Sequence, residues 1–187
     1  MAKFSPLPAL AGTLVLVAAA LSAPTQVRAQ APATDPEVAT YFRAVGQYFR
    51  VPPDEVAILA EWSLPPEEIP VVLFLSRRGG VSADALIALK RQGSSWFELG
   101  ARYGLDAGAF YLPLEPVPQA GSLGPLYQRM SGRARGDWGG VALQDDEVVA
   151  LVNCRLLSEM LNVAPERALE TADRSGSWVR AYLSLSR

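Results

Sequence analysis

The densest concentration of chemistry-bearing side chains is the run Gln128-Arg129-Met130-Ser131-Gly132-Arg133-Ala134-Arg135-Gly136-Asp137-Trp138. It sets three arginines beside a tryptophan in a stretch rich in glycine. Guanidinium groups present planar forks of N–H donors that suit carboxylate and phosphate, so Arg129, Arg133, Arg135 and Trp138 are the candidate surface for an anionic partner. A solvated loop is the plainer account of the same residues. The second concentration is acidic. Asp145-Asp146-Glu147 precedes a long apolar segment, where acids complement the positive end of a helix dipole. A weak Ca2+ site would need oxygen ligands at regular loop spacing, and these three lack it.

What is missing narrows the chemistry further. The 187 residues include no histidine and one cysteine, Cys154. No Ser–His–Asp or Cys–His catalytic set can be assembled, and no Cys/His zinc site. Paired carboxylates are the acid–base resource that is left, as in glycoside hydrolysis. Glu61, Glu67, Glu68, Glu98 and Glu159 are available for it, and each is also explained by a helix start or an exposed face. Cys154 lies inside an apolar segment and reads as a buried structural thiol. No intramolecular disulfide is possible, so packing has to carry stability. Arg155 and Glu159, at i and i+4, are expected to form a partly buried pair. No cofactor is implied.

The N-terminus explains where such a chain would work. Lys3, an apolar core Ala11–Leu21 and a polar stretch ending Val27-Arg28-Ala29 follow the order of a secretory signal peptide, with cleavage near Ala29. The apolar run is short of the roughly 20 residues a membrane span needs. Removing residues 1–29, which carry Lys3 and Arg28 and no acid, leaves 158 residues and moves the formal charge from −2 to −4. That length supports one domain with its own core, spanning 30–187 and exported to the periplasm or beyond. A mildly acidic exported domain is a poor nucleic-acid binder, so helix-turn-helix spacing does not imply DNA reading.

The elements that position these residues are punctuated by proline and acid. Asp35-Pro36-Glu37, Pro52-Pro53-Asp54-Glu55, Pro65-Pro66-Glu67-Glu68 and Pro165-Glu166 each read as a helix start, because proline lacks the N–H that is unpaired there. The pattern predicts helices over 36–49, 53–62 and 66–78, the first with Tyr41, Phe42, Val45, Tyr48 and Phe49 on one face. Ser82 caps a helix to about Arg91, Gly93 turns the chain, and Ser95-Trp96-Phe97-Glu98 is a capping-box pattern opening the next helix. A helix from Asp145 to about Leu161 is apolar nearly all round and is expected at the centre of the core. Helices over 165–172 and 177–185 complete the chain.

The fold class is therefore mainly α: a single domain of short helices and helical hairpins. It has a first half at 36–103, a Gly/Pro-rich irregular loop at 104–144 and a second half at 145–187. The loop holds eight of the fifteen glycines, and Ala109–Leu112 with Gly140–Leu143 could form a small β-hairpin in it. A shift of 82 residues superposes the Val81–Phe97 stretch on Val163–Val179 and brings Trp96 onto Trp178. An internal repeat would make both tryptophans core wedges.

The run YFRVPPDEVAILAEWSLPPEEIPVVLFLSRRGGVSADALIALKRQGSSWFELGARYGL, with the later DEVVALVNCRLLSEMLNVAPERALE, resembles a group of uncharacterised secreted bacterial helical proteins. The resemblance covers about 40–112 and 145–180. It implies an exported helical domain and lends no catalytic residue. The expected role is a non-enzymatic binding or structural module of the bacterial envelope, with an envelope protein or an anionic glycan or lipid as the class of partner. The alternative is a carboxylate-dependent hydrolase of envelope glycans.

Overall fold

The computed structural model describes residues 35–62, 64–114 and 121–187. The expected signal peptide and its expected cleavage point lie outside the described residues. Within them the chain is all-helical, in eleven mostly short helical runs of one body, and no strand is present among the described residues.

The proline–acid punctuation works as helix starts. α1 (Pro36–Phe49) begins after Asp35, whose carboxylate accepts the Glu37 N–H at 2.8 Å. It ends at Arg50 in the left-handed region, with φ +54°. α2 (Pro53–Glu61) packs back on α1. A 3-10 turn, Pro66–Glu68, runs directly into α3 (Ile69–Gly79), whose residues Ile69–Leu75 are all buried. α4 (Ala83–Arg91) is capped by Ser82 and followed by Gly93 at φ +99°. α5 (Trp96–Arg102) opens with the full capping box: Ser95 Oγ accepts the Glu98 N–H and Glu98 Oε2 accepts the Ser95 N–H. The Ser95 N–H holds the Glu98 carboxyl below its usual value.

α8 (Asp145–Leu161) is the central helix, with Val148, Leu151, Val152, Cys154, Leu156 and Leu157 all buried. α3 and α5 pack on it, as do α1, α9 (Pro165–Ser175) and α10 (Trp178–Leu185). α9 turns at Gly176 into α10, capped by Ser177. Trp96 is fully buried and Trp178 is 9 % exposed, so both are core wedges.

The stretch 104–144 differs from the expectation. α6 (Ala107–Phe110) takes up the first half of the first proposed strand, and Tyr111–Leu112 after it is neither helix nor strand. Gly140 ends a 3-10 segment, Arg135–Gly140, and Val141–Leu143 runs extended with no strand partner, so the β-hairpin is absent. Between them a 3-10 turn, Gly121–Leu123, leads into α7 (Gly124–Ser131). Gly121, Gly124, Gly132 and Gly140, among the glycines that suggested irregularity, sit at helix boundaries. Pro125 occupies a first-turn position, and Leu123, Leu126, Tyr127 and Met130 recur at helical spacing and are buried.

The Arg155–Glu159 ion pair is also absent. Arg155 instead donates to the Phe110 and Tyr111 carbonyls at 3.2 and 2.6 Å, and Glu159 accepts the Tyr48 hydroxyl at 2.5 Å. With Ala109 O at 3.5 Å, three carbonyls left unpaired at the end of short α6 take the guanidinium, while the Tyr48 hydroxyl takes Glu159.

A candidate ligand cleft where helix starts meet

A cleft of about 610 Å3 opens where four segments converge. They are Pro65–Glu68 at the head of α3, the first turns of α8, the Ala172–Trp178 turn between α9 and α10, and Ser122–Leu123. Three of these are helix beginnings, and helix beginnings attract acids. The outcome is a lining with Glu67, Glu68, Asp145, Asp146, Glu147 and Asp173 and no lysine or arginine.

Most of these acids are tied. Asp145 pairs with Lys90 through Oδ2 and accepts the Trp96 backbone N–H through Oδ1 at 2.6 Å. The Lys90 ammonium lies 5.0 Å from the centre of the Trp96 ring. Glu147, nearly buried, takes one Arg129 nitrogen on both carboxylate oxygens, at 2.8 and 2.7 Å, and the Gln144 N–H at 2.9 Å. Asp173 accepts the Ser122 N–H at 2.9 Å, which pins the Gly121–Leu123 turn over the cleft. Glu67 accepts the Ser177 hydroxyl at 2.9 Å across the cleft. Asp146 bonds only the N–H of its neighbour Glu147.

Glu68 forms no ion pair, and its polar neighbour is the Trp96 indole, which lies outside good hydrogen-bond geometry. Its carboxyl is raised above its usual value, first by burial, with Asp145 and Glu67 adding and Lys90 and the Trp96 indole opposing. The Trp96 Nε1 is itself buried without a hydrogen-bond partner. Glu68 and Asp146 are thus the carboxylates the fold leaves open to a ligand.

Beneath the cleft lies a buried polar knot. Asn153, in the middle of α8 and fully buried, accepts the Tyr41 hydroxyl. Its amide donates to the Glu67 and Val149 carbonyls, both at 2.8 Å. This fixes the Pro65–Glu68 wall to the central helix and to α1. An asparagine inside a helix apolar on every side was the available signal for it.

The arginine-rich run is divided. Arg129 belongs to the cleft's edge through Glu147. Arg135 and Trp138 lie together beyond α7, with the Arg135 guanidinium 5.6 Å from both the Trp138 and Tyr111 ring centres, and the Arg133 guanidinium lies beside Gly140, two residues past Trp138. Sequence reasoning treated Glu67, Glu68 and the Asp145–Glu147 run as helix-start acids, which they are, and did not bring them together. It missed Ser122, Asp173 and Ser177, whose roles depend on a turn 51 residues from its partner in one case and 110 in the other.

Among the described residues no three His, Cys, Asp or Glu side chains converge to hold a metal ion. No single helix there is long and apolar enough to cross a membrane. Comparison with family models, curated proteins and solved structures finds no match to this chain.

Proposed function

We propose that the chain is an exported, non-enzymatic binding module of the bacterial envelope, and that its ligand is a small organic cation or basic peptide end held in the cleft. The observation that carries this is the cleft itself: a small-ligand volume, closed on one side by Gly121–Leu123, in which Glu68 and Asp146 form no salt bridge. Trp178 supplies an aromatic wall beside the acids, a surface that suits an alkylammonium or guanidinium group. The signal-like N-terminus supports export. Calorimetric titration with spermidine and with a lysine-terminated peptide tests the assignment. Saturable binding that Glu68→Gln and Asp146→Asn each weaken supports it. Failure of both probes, or equal binding by both variants, overturns it.

A second function, hydrolysis of envelope glycans, is favoured by one observation, the burial-raised carboxyl of Glu68 among other carboxylates, an arrangement that suits a general acid. Reducing-end release from envelope glycan that Glu68→Gln abolishes would establish it in place of simple binding.

We also propose that α4–α5 and α9–α10 are copies of one packing unit. The starts of α4 and α9 (Ala83 and Pro165) and of α5 and α10 (Trp96 and Trp178) are separated by the same 82 residues, and each second helix is capped by a serine and opens on a buried tryptophan.

A further inference from the structure

We infer that Arg133 and Arg135 form a docking surface for an acidic glycan, separate from the cleft. Both side chains are exposed, and neither has a carboxylate partner among the described residues. Arg135 is held in place. Its guanidinium lies over Tyr111 and Trp138, whose rings are 4.4 Å apart. A guanidinium resting on aromatic faces keeps its in-plane N–H edges outward, already desolvated on one side and restricted in rotamer. The support is itself anchored. Arg155, rooted in the central helix, bonds the carbonyls of Phe110 and Tyr111, and the Tyr127 hydroxyl bonds the Leu112 carbonyl. Asp106 beside Gly139 and Asp137 in the same segment do not pair with these arginines. The third arginine of the run, Arg129, is neutralised by Glu147 and takes no part.

Such a fork selects carboxylate or phosphate oxygens. A lipid surface is the weaker match. Membrane docking by a few charges needs an apolar side chain to insert, and the exposed large hydrophobic residue among those described is Ile58, in α2. An acidic sugar chain fits better, because partly exposed Tyr111 and Trp138 beside the forks offer apolar edges to the C–H faces of sugar rings.

The test uses the full chain and a short galacturonate oligomer, followed by calorimetry and tryptophan fluorescence, with neutral dextran, polyglutamate and phosphatidylglycerol vesicles as comparison arms. Saturable binding to the galacturonate oligomer is expected, weakened by salt and on the order of tenfold weaker in Arg133→Gln/Arg135→Gln. Arg135→Lys, which keeps the charge and loses the fork, should fall between the two. Circular dichroism confirms that these surface variants fold. Equal affinity of the double variant, equal or tighter binding of polyglutamate, or binding to vesicles alone overturns the assignment. Glu68→Gln should leave galacturonate binding unchanged, so the cleft and this surface stand or fall separately.

Discussion

Replacing Asn153 with alanine removes the centre of the knot that joins α1, α8 and the cleft wall. The Tyr41 hydroxyl and the Glu67 carbonyl both lose their partner. Tyr41 is fully buried, so its orphaned hydroxyl costs about 1–3 kcal/mol. The Glu67 carbonyl borders the cleft and can be rewetted, which puts its loss near the lower end, about 1 kcal/mol. Val149 loses least, since its carbonyl keeps the helical bond to the residue 153 N–H. Alanine returns up to about 0.7 kcal/mol through helix propensity. The net loss is about 2–3 kcal/mol, a large share of the roughly 5–15 kcal/mol that holds a domain together. Tyr41→Phe alone orphans one Asn153 acceptor and should cost about 1–2 kcal/mol. The double variant removes both partners of the Tyr41–Asn153 bond and leaves only the Glu67 carbonyl orphaned, so its cost should fall about 1 kcal/mol short of the sum. Urea unfolding followed by far-UV circular dichroism measures all three. A loss below about 0.5 kcal/mol for Asn153→Ala, or strict additivity in the double variant, would refute the knot as a coupled unit.

Cys154 is fully buried, its Sγ donates to the Pro165 carbonyl at 3.1 Å, and burial pushes its thiol up to about 12. It should react with a disulfide reagent at pH 8 only at the rate of unfolding; fast reaction in the native state contradicts that placement. Gly121→Ala puts a Cβ 2.2 Å from Asp173 Oδ2 at φ +45°, so it should destabilise by at least about 1 kcal/mol and loosen the turn over the cleft, read by urea unfolding and by hydrogen exchange at Ser122. Tyr48 is raised from 10.0 to about 12 by burial and by its bond to Glu159. A raised value favours the protonated form in the folded state, so this contribution is complete below pH 10 and is lost as pH rises through about 12; Tyr48→Phe should flatten the alkaline end of the Tm profile. Glu68 is raised likewise, so its contribution is present at low pH and vanishes as pH rises through its folded value. A carboxyl titration by NMR should show a midpoint above that of an exposed glutamate, and Glu68→Gln should weaken the acid-side pH dependence of Tm.

Helix starts were legible because proline and acid at a first turn have a local cause, and the structure begins α1, α2 and α9 at Pro36, Pro53 and Pro165. The all-round apolar helix at Asp145–Leu161 was equally legible as the core. Residues 121–140 were not. Their glycines and prolines signal breaks, and only the buried spacing of Leu123, Leu126, Tyr127 and Met130 distinguishes a short helix from a loop. The Arg155–Glu159 pair failed because i, i+4 spacing cannot register α6, which delivers carbonyls from 44–46 residues away. The cleft was invisible for a related reason: each of its acids has a sufficient local explanation, and only tertiary packing makes the explanations share one space.

That sharing also explains why six carboxylates can line one cleft. The 3-10 run into α3, α8 and α10 all begin at its wall, and each start presents unpaired N–H groups and the positive end of a dipole. The acids offset those ends, and Lys90 and Arg129 neutralise two of them from outside the lining. Electrostatics alone would let the set be rearranged among its members. Geometry does not. Glu67, Asp145, Glu147 and Asp173 each hold a backbone segment or a helix cap in place, so their loss is felt as lost structure. Glu68 braces no backbone segment, is half-buried, and has its carboxyl raised above the usual value, first by burial and then by Asp145 and Glu67. Four carboxylates thus hold shape, and the two that do not, Glu68 and Asp146, lie without an ion pair in the space the four define.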